Sequence, residues 1–271
     1  MTSTQERVAR YFCGREVARK FAFSRIWGDE LDAVFSDVAP YYDLASNVAS
    51  LGSCKTWRQK FVNGVEIRPG DEVLDLCAGT NAVGIGPLQR EPAARVRALD
   101  RSRAMQAVGG QIARARGFEI ESHIGDAHRL PFPDASFDIV TLQWASRHLR
   151  VVEAFSEVRR VLKPGGSFYH CDMLRPENRI VQALYSAYLK ACVSATALIF
   201  RSGPAAWSCR DTFVLAVEMF YTSRELSELL AHLGFTEISN EDAVGGVMAG
   251  HSARKPGARK PGAHKPGARQ R

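Results

Sequence analysis

The order of apolar and polar positions along the chain predicts strands that alternate with helices in its middle part. Short apolar runs, of the length typical of buried strands, are separated by longer stretches with helical spacing. The strands are expected at residues 72–76, 95–100, 118–124, 137–142 and 167–173, and the helices between them at 83–89, 102–116 and 151–162. This alternation predicts a mostly parallel sheet with helices on both faces, joined by right-handed crossovers.

The regions on either side of this core complete the expected fold. Residues 1–34 have a mixed helical pattern and are expected to form an N-terminal helical extension. A long apolar helix is predicted at 177–200, a capped helix at 222–233, and a closing hairpin at 236–243 and 247–252. The fold class is therefore α/β, Rossmann-like and doubly wound, with a mostly parallel seven-stranded sheet and a closing antiparallel strand. The Lys-Pro-Gly-Gly segment at 163–166 is expected to be a sharp stop after the predicted helix at 151–162.

The positive charge of the chain belongs to its C-terminal segment. The formal net charge is +7, and residues 251–271 contain seven lysines and arginines and no acidic residue. The other 250 residues carry 29 cations and 29 acids, so no nucleic-acid partner is expected for the folded body. The segment from 254 to 271 repeats Lys-Pro-Gly-Ala with no core-forming residue and is expected to be a disordered basic tail.

Cysteine usage and hydropathy indicate a cytoplasmic protein. The six cysteines are scattered with no Cys-x-x-Cys pair, so neither a disulfide framework nor a metal site is expected. The N-terminus lacks the uninterrupted apolar region of a secretory signal. The longest strongly apolar stretch, 191–200, is too short to span a bilayer.

Polar side chains follow the ends of the predicted parallel strands. Asp75 lies near the end of the first strand, and Thr80, Asp100, Asp126 and Gln143 come at or just after the ends of the first four. Because the carboxyl ends of such strands meet at one edge, one cleft is expected to collect these side chains. An acid at the end of the second strand, 25 residues after the first acid, suits the hydroxyls of a ribose.

The turn after the first strand, residues 77–81, consists of small side chains that let a ligand approach the backbone. Gly79 can also adopt a positive φ at no steric cost. The chain has neither a phosphate-binding run of glycines nor a P-loop lysine. A nucleoside without a pyrophosphate therefore fits this cleft better than NAD or ATP.

Five stretches make the chain resemble a known family. It is similar to the class I S-adenosylmethionine-dependent methyltransferases and, within them, to the menaquinone and ubiquinone biosynthesis C-methyltransferases. The resemblance implies a methyltransferase domain at residues 35–253, with a cap or substrate insertion at about 175–222. The matching stretches are 35–44 with its Tyr-Asp-Leu, 73–80, 126–132 with Asp-Ala-x-x-Leu-Pro-Phe, 146–149, and 160–166 with Val-Leu-Lys-Pro-Gly-Gly.

The resemblance implies S-adenosylmethionine as the cofactor and assigns a role to each motif residue. Arg147, His148 and Tyr42 would lie beside the acceptor ring, where Arg147 stabilises an oxyanion and His148 or Tyr42 relays the proton. A near-neutral pKa is expected for His148. The cofactor would contact Asp75 near the end of the first strand, Gly79 and Thr80 at its methionine end, Asp100 at the ribose, Asp126 and Ala127 at the adenine, and Gln143.

Four departures from the family pattern are present. Asn81 stands where the cofactor loop usually has glycine, although asparagine tolerates a positive φ better than most residues. His148 replaces an asparagine, Ser146 stands where leucine is usual, and Asn47 aligns where the family has aspartate. These changes cluster on the acceptor side, so they bear on the substrate more than on the cofactor.

The implied partner is a small lipophilic, quinol-like substrate. The apolar helix at 177–200 has two interpretations: an ordinary buried helix, or the wall of a lipid-tail pocket with peripheral contact to the inner face of the membrane. The basic tail is a solvated appendage or a weak contact for anionic lipid or nucleic acid. Two other functions stay open, namely methylation of O, N or C in another small apolar metabolite, and a catalytically inactive binding subunit.

Overall fold

The structure, a computed structural model, describes residues 3–23, 31–201, 207 and 210–258. Strands and helices alternate through its centre as the sequence predicts. The strands are β1 (Glu72–Leu76), β2 (Arg95–Asp100), β3 (Glu121–Ile124), β4 (Phe137–Gln143), β5 (Leu162–Met173), β6 (Thr236–Ala243) and β7 (Met248–Arg254). The helices are α1 (Ser3–Phe23), α2 (Leu31–Val38), α3 (Tyr42–Ala49), α4 (Ser53–Gly64), α5 (Ile85–Arg90), α6 (Arg103–Ala115), α7 (Val151–Val161), α8 (Arg179–Ile199), α9 (Arg210–Glu218) and α10 (Ser223–His232).

Seven strands form one sheet in the order β3-β2-β1-β4-β5-β7-β6. Strands β1 to β5 are parallel, whereas β7 runs antiparallel to both β5 and β6. The predicted fold class is therefore confirmed. The strand order reverses direction between β1 and β4, and open α/β sheets bind ligands at such a point, beyond the carboxyl ends of the strands.

Alternating side chains of the central strands build a core on each face of the sheet. In β1, Leu74 and Leu76 point into the larger core, beside Phe155 of α7. Val73 points to the opposite face, where it packs with Ile139 of β4. Because side chains alternate along a strand, Asp75 lies on the same face as Val73. The alternation of side chains along β1 therefore determines on which face of the sheet Asp75 is buried.

The termini of two helices follow local rules that are visible in the sequence. Ser102 caps α6 by accepting a hydrogen bond from the Met105 amide at 3.3 Å. Thr222 and Glu225 form a complete capping box at the start of α10. Both caps agree with the sequence-based expectation. Among the described residues, no helix has the length and hydropathy needed to cross a membrane.

Two boundaries differ from the sequence-based expectation. The predicted stop at 163–166 agrees with the end of α7 at Val161, but β5 begins at Leu162 instead of residue 167, and its pairing with β4 skips residues 163–166. The basic tail was expected to begin at residue 254, but Arg254 still belongs to β7. Lys255 is also held, since its amide donates to the Gly166 carbonyl at 2.9 Å. Most of the predicted tail, residues 259–271, lies outside the described residues.

Candidate active site

A cleft of about 170 Å³ lies beyond the carboxyl ends of β1, β2 and β4. Nine of the ten residues predicted for the site line it, and Arg147 lines a second cavity next to it. Within the described residues, no cluster of three His, Cys, Asp or Glu side chains is arranged to hold a metal ion. The nine residues are Tyr42, Asp75, Gly79, Thr80, Asp100, Asp126, Ala127, Gln143 and His148.

Asp75 lies at the base of the cleft with only 1% of its surface exposed. One carboxylate oxygen accepts a hydrogen bond from the Gly84 amide at 2.8 Å, and the other accepts from the Thr141 hydroxyl at 2.9 Å. Burial raises the pKa of Asp75 to about 7, although both hydrogen bonds oppose the rise. The side chain therefore fixes the turn after β1 to the neighbouring strand β4.

The turn after β1 contains three residues with positive φ: Cys77 at 53°, Gly79 at 52° and Asn81 at 59°. Asn81 is completely buried and accepts a hydrogen bond from Gln106 of α6 at 3.0 Å. The helix makes room for it at Gly109, where a Cβ would lie 2.9 Å from the Asn81 Cγ. The departure from glycine at position 81 is thus accommodated by packing against a glycine of α6.

Asp100, at the end of β2, is fixed by backbone donors from both sides. Its carboxylate accepts from the Gly79 amide at 2.8 Å and from the Ser102 amide at 2.8 Å. Burial raises the pKa of Asp100, and these hydrogen bonds act in the opposite direction. A carboxylate has about four acceptor positions, so two amide donors leave positions for ligand hydroxyls.

Asp126, after β3, is paired with His128 at the exposed edge of the cleft. The His128 Nε2 accepts from the Arg150 amide at 2.9 Å, which places the ring proton on Nδ1, 2.5 Å from the Asp126 carboxylate. Burial alone would raise the pKa of Asp126, but the hydrogen bonds from the backbone and ring of His128, with the charge of Arg150, outweigh it and lower the pKa. The pair joins the loop after β3 to the start of α7.

A chain of polar contacts links the cofactor loop to the N-terminal helices. The Thr80 hydroxyl donates to Asp43 at 2.7 Å, and Asp43 also accepts from Arg58 at 3.0 Å. The Arg58 guanidinium lies 5.5 Å from the centre of the Trp144 ring. Sequence reasoning missed that Arg58 and Trp144 line the cleft. Trp144 directly follows Gln143 at the end of β4, and that position was the only signal available for it.

The second cavity has a volume of about 590 Å³ and a largely apolar lining. It shares Tyr42 and Trp144 with the cleft, so these two side chains form the boundary between the two spaces. Helix α8 supplies one wall and α3 and α4 supply another. The apolar lining from α8 consists of Val181, Leu184, Tyr185, Tyr188, Leu189, Cys192 and Val193.

Arg147, in a 3-10 turn at Ser146–His148, is the charged group on the wall of this cavity. Its Nη1 donates to Asp172 and to the Trp144 carbonyl, at 2.5 and 2.7 Å. Its guanidinium also lies 4.7 Å from the centre of the Phe213 ring. The Nε has no hydrogen-bond partner among the described residues, so the group keeps a donor for a ligand.

A buried polar network fixes Asp172, which is itself completely buried at the end of β5. The Ser146 hydroxyl donates to Asp172 at 2.6 Å, and the His170 Nε2 lies 2.7 Å from the same hydroxyl. Burial alone would raise the pKa of Asp172, but Arg147, His170 and the hydrogen bonds outweigh it and lower the pKa. The serine that departs from the family pattern at position 146 thus helps to hold the partner of Arg147.

His148 and Tyr42 both pack against Phe35, with their ring centres 6.4 and 6.2 Å from the centre of the Phe35 ring. The expected near-neutral pKa of His148 is wrong, because burial, followed by the charge of Arg147, lowers it to about 3. Burial raises the pKa of Tyr42, and Arg147 offsets only part of the rise. At neutral pH both side chains are therefore uncharged, and neither is a strong base.

Two solved structures with a similar fold are named as methyltransferases. A SAM-dependent methyltransferase from Aquifex aeolicus is 17% identical, with a TM-score of 0.52, and the match covers 73% of this chain and 89% of the other. A putative O-methyltransferase from Nostoc punctiforme PCC 73102 is also 17% identical, with a TM-score of 0.59 and coverage of 82% and 60%. At this level of identity the likeness shows the fold.

Proteins with similar sequences show the family to which the chain belongs. A demethylmenaquinone methyltransferase of Paenarthrobacter aurescens (strain TC1) is 34% identical over 238 residues, covering 84% of this chain and 87% of the relative. One from Renibacterium salmoninarum is 34% identical over 234 residues, with coverage of 84% and 93%. The family model for the ubiE/COQ5 methyltransferase family matches residues 25–255. The chain is an enzyme of the methyltransferase class and belongs to the ubiE/COQ5 methyltransferase family.

Proposed function

We propose that this enzyme transfers a methyl group from S-adenosylmethionine to a ring carbon of a prenylated quinol, such as demethylmenaquinol. The observation that carries the proposal is the apolar cavity of about 590 Å³ that adjoins the cleft and has Arg147 on its wall. A prenylated ring needs an apolar lining with a small number of placed polar groups, which is the composition of this cavity. The names of the relatives at 34% identity point to the same substrate class.

The residues of the cleft fit the proposed cofactor. Asp75, Asp100 and Asp126 all face it, and the cofactor carries positive charge on its sulfonium and amino groups. Asp100 would hold the ribose, Asp126 with Ala127 the adenine, and the turn with Thr80 the methionine end. When bound, S-adenosylmethionine would supply an electrophilic methyl group, which the nucleophilic ring carbon would attack in line with the C–S bond while the sulfur leaves in neutral S-adenosylhomocysteine.

Arg147 would activate the acceptor. A quinol ring carbon becomes nucleophilic when the neighbouring hydroxyl loses its proton to solvent, and a guanidinium donor at the developing oxyanion stabilises that state. After the transfer, the methylated ring carbon loses its hydrogen as a proton and the ring oxygen is protonated again. His148, with a pKa of about 3, would remain neutral and offer its unpartnered Nε2 to the acceptor hydroxyl as a hydrogen-bonding group. Electrostatic stabilisation by Arg147, rather than a strong base, would therefore lower the barrier.

The substitution Arg147→Lys tests this role, because lysine keeps the charge for Asp172 but loses the planar set of donors. We expect kcat to fall by about 10²-fold, the loss typical of one oxyanion donor, with an unchanged affinity for S-adenosylmethionine. The matched change His148→Asn, which restores the usual family residue, is expected to keep kcat within about threefold because both side chains are neutral donors and acceptors. Full activity of Arg147→Lys would contradict the oxyanion role.

The assay that decides the function presents demethylmenaquinol and a panel of small hydroxylated aromatics to the enzyme, and locates the new methyl group by mass spectrometry. The proposal requires a methyl group on the ring carbon of the quinol. Methylation of an oxygen or nitrogen atom in another compound of the panel would refute the proposal and support the alternative function, methylation of a different small metabolite. If calorimetry finds no binding at millimolar S-adenosylmethionine, the chain would be a binding subunit.

We also propose that the enzyme is cytoplasmic and meets its substrate at the inner face of the membrane. Large apolar side chains are exposed on or next to the lining of the second cavity: Leu184 by 68%, Val244 by 66%, and Leu51, which follows the lining residue Ser50 in sequence, by 88%. Leu184 and Val244 also line the cavity itself, so the apolar surface is continuous from its interior to solvent. Exposed apolar patches of this kind mark surfaces that bind membranes or other partners.

Sedimentation with anionic liposomes tests the membrane contact. The double variant Leu51→Ser/Leu184→Ser is expected to lose binding, whereas Val17→Ser, an exposed apolar residue of α1, is the matched control. A truncation of 259–271 tests the basic tail and leaves β7 and Lys255 in place. Liposome binding of the double variant at the level of the control would refute the apolar contact.

A further inference from the structure

Helix α1 lies outside the family match, which begins at residue 25, yet it reaches the acceptor side of the site. Phe12 anchors the helix in the larger core. One turn before the end of the helix, Arg19 is completely buried. Its Nη2 donates to the Arg147 carbonyl at 2.9 Å. A helix from outside the family domain thus touches the turn that carries the proposed oxyanion group.

Arg19 is held in place by further groups. Its Nη1 donates to Glu16 at 2.7 Å, and the same Glu16 oxygen accepts from the Tyr221 hydroxyl at 2.8 Å. The guanidinium lies 5.0 Å from the centre of the Phe220 ring and 5.7 Å from that of Tyr221. A buried guanidinium with this many partners has a fixed geometry, so it can define the position of the atom to which it donates.

We propose that Arg19 of α1 is a positioning residue that fixes the 3-10 turn at Ser146–His148 and thereby the guanidinium of Arg147. This inference rests on the proposed function, because it assigns the effect to the acceptor step. Asp172 from β5 holds the side chain and the amide of Arg147, while Arg19 from α1 holds its carbonyl. The N-terminal extension is therefore part of the acceptor site in this chain.

The effect should appear in turnover and not in cofactor binding, since Arg19 does not line the cleft. A displacement of about 1 Å in a positioned group can reduce a rate by about 10²-fold. We expect Arg19→Met to lower kcat by at least tenfold, with the Kd for S-adenosylmethionine and the KM for the acceptor within twofold of wild type. Arg19→Lys keeps the charge and one donor, and should restore part of the lost kcat.

The experiment compares Arg19→Met and Arg19→Lys with Arg10→Met, which removes an exposed arginine from the same helix. Turnover of demethylmenaquinol, calorimetry with S-adenosylmethionine, and hydrogen exchange of the amides at 146–149 are measured on each full-length protein. Faster exchange of these amides in Arg19→Met, together with the loss of kcat, is the expected result. If Arg19→Met does not fold, Arg19→Lys against Arg10→Lys provides the same comparison.

Equal kcat in folded Arg19→Met and Arg10→Met would overturn the inference, as would unchanged exchange at 146–149. A fall in cofactor affinity as large as the fall in kcat would also overturn it, because that result indicates a general structural role. Failure of the wild-type enzyme to methylate the quinol would instead refute the proposed function, and the exchange data would still test the contact.

Discussion

Replacing Asp75 by asparagine should change how the stability of the fold depends on pH. The carboxylate is buried and accepts one hydrogen bond from the Gly84 amide and one from the Thr141 hydroxyl. An asparagine can accept from the amide through its oxygen and donate to the hydroxyl through its nitrogen, so both contacts can persist. The substitution therefore removes the charge while it keeps the geometry.

The magnitude follows from the raised pKa of Asp75, which is about 7 in the fold against 3.8 for the free group. Between these values the folded state holds a proton that the unfolded chain has lost, so the stability falls as pH rises. The slope is about 1.4 kcal/mol for each pH unit, and the total loss by pH 7 is up to about 4 kcal/mol. Above pH 7 the contribution is constant, and below pH 4 the loss disappears.

Urea unfolding of the wild type and of Asp75→Asn, followed by circular dichroism from pH 4 to pH 8, measures this difference. The variant should be the more stable protein at pH 8, and its advantage should vanish towards pH 4. Asp242→Asn, at an exposed position on β6, is the matched control and should show no such trend. A constant difference between wild type and Asp75→Asn across the range would refute the reasoning.

Three further substitutions test the packing and the capping described above. Gly109→Ala should destabilise the fold by about 1–2 kcal/mol, because its Cβ would lie 2.8 Å from the backbone carbon of Thr80. Gly110→Ala on the same helix should stabilise it by up to about 1 kcal/mol, and equal effects of the two in urea unfolding would contradict the packing. Thr222→Ala should lower the free energy of unfolding by about 1 kcal/mol, and with it the Tm, because the capping box is lost. An unchanged Tm would exclude a stabilising role for this cap.

The cofactor side of the site could be predicted from the sequence, because its residues are attached to strand ends. The apolar runs fix the strands, parallel strands end at one edge, and an acid just after a strand must then face the cleft. Asp100 and Asp126 illustrate this logic, and both line the cleft. The small side chains after β1 likewise identified the turn in which Gly79 has a positive φ.

The acceptor side depends on contacts between residues far apart in sequence, and the pattern of the chain does not encode them locally. Asp172 is an acid inside an apolar strand, and its role depends on Ser146 and Arg147, about 25 residues away. Arg19 and Arg147 are separated by 128 positions. The pKa of His148 follows from burial and neighbouring charge, which only the packed structure supplies. The periodicity of apolar residues predicts the helices and strands, but it does not predict which of them contact one another.

The placement of β7 constrains how the molecule can be made. This strand lies between β5 and β6 in the sheet, although it is the last of the described strands in chain order. Until β7 emerges from the ribosome, β6 has no partner strand, and the side of β5 that pairs with β7 is an open edge at which wrong strands can pair. The sheet can therefore close only after synthesis has passed Arg254.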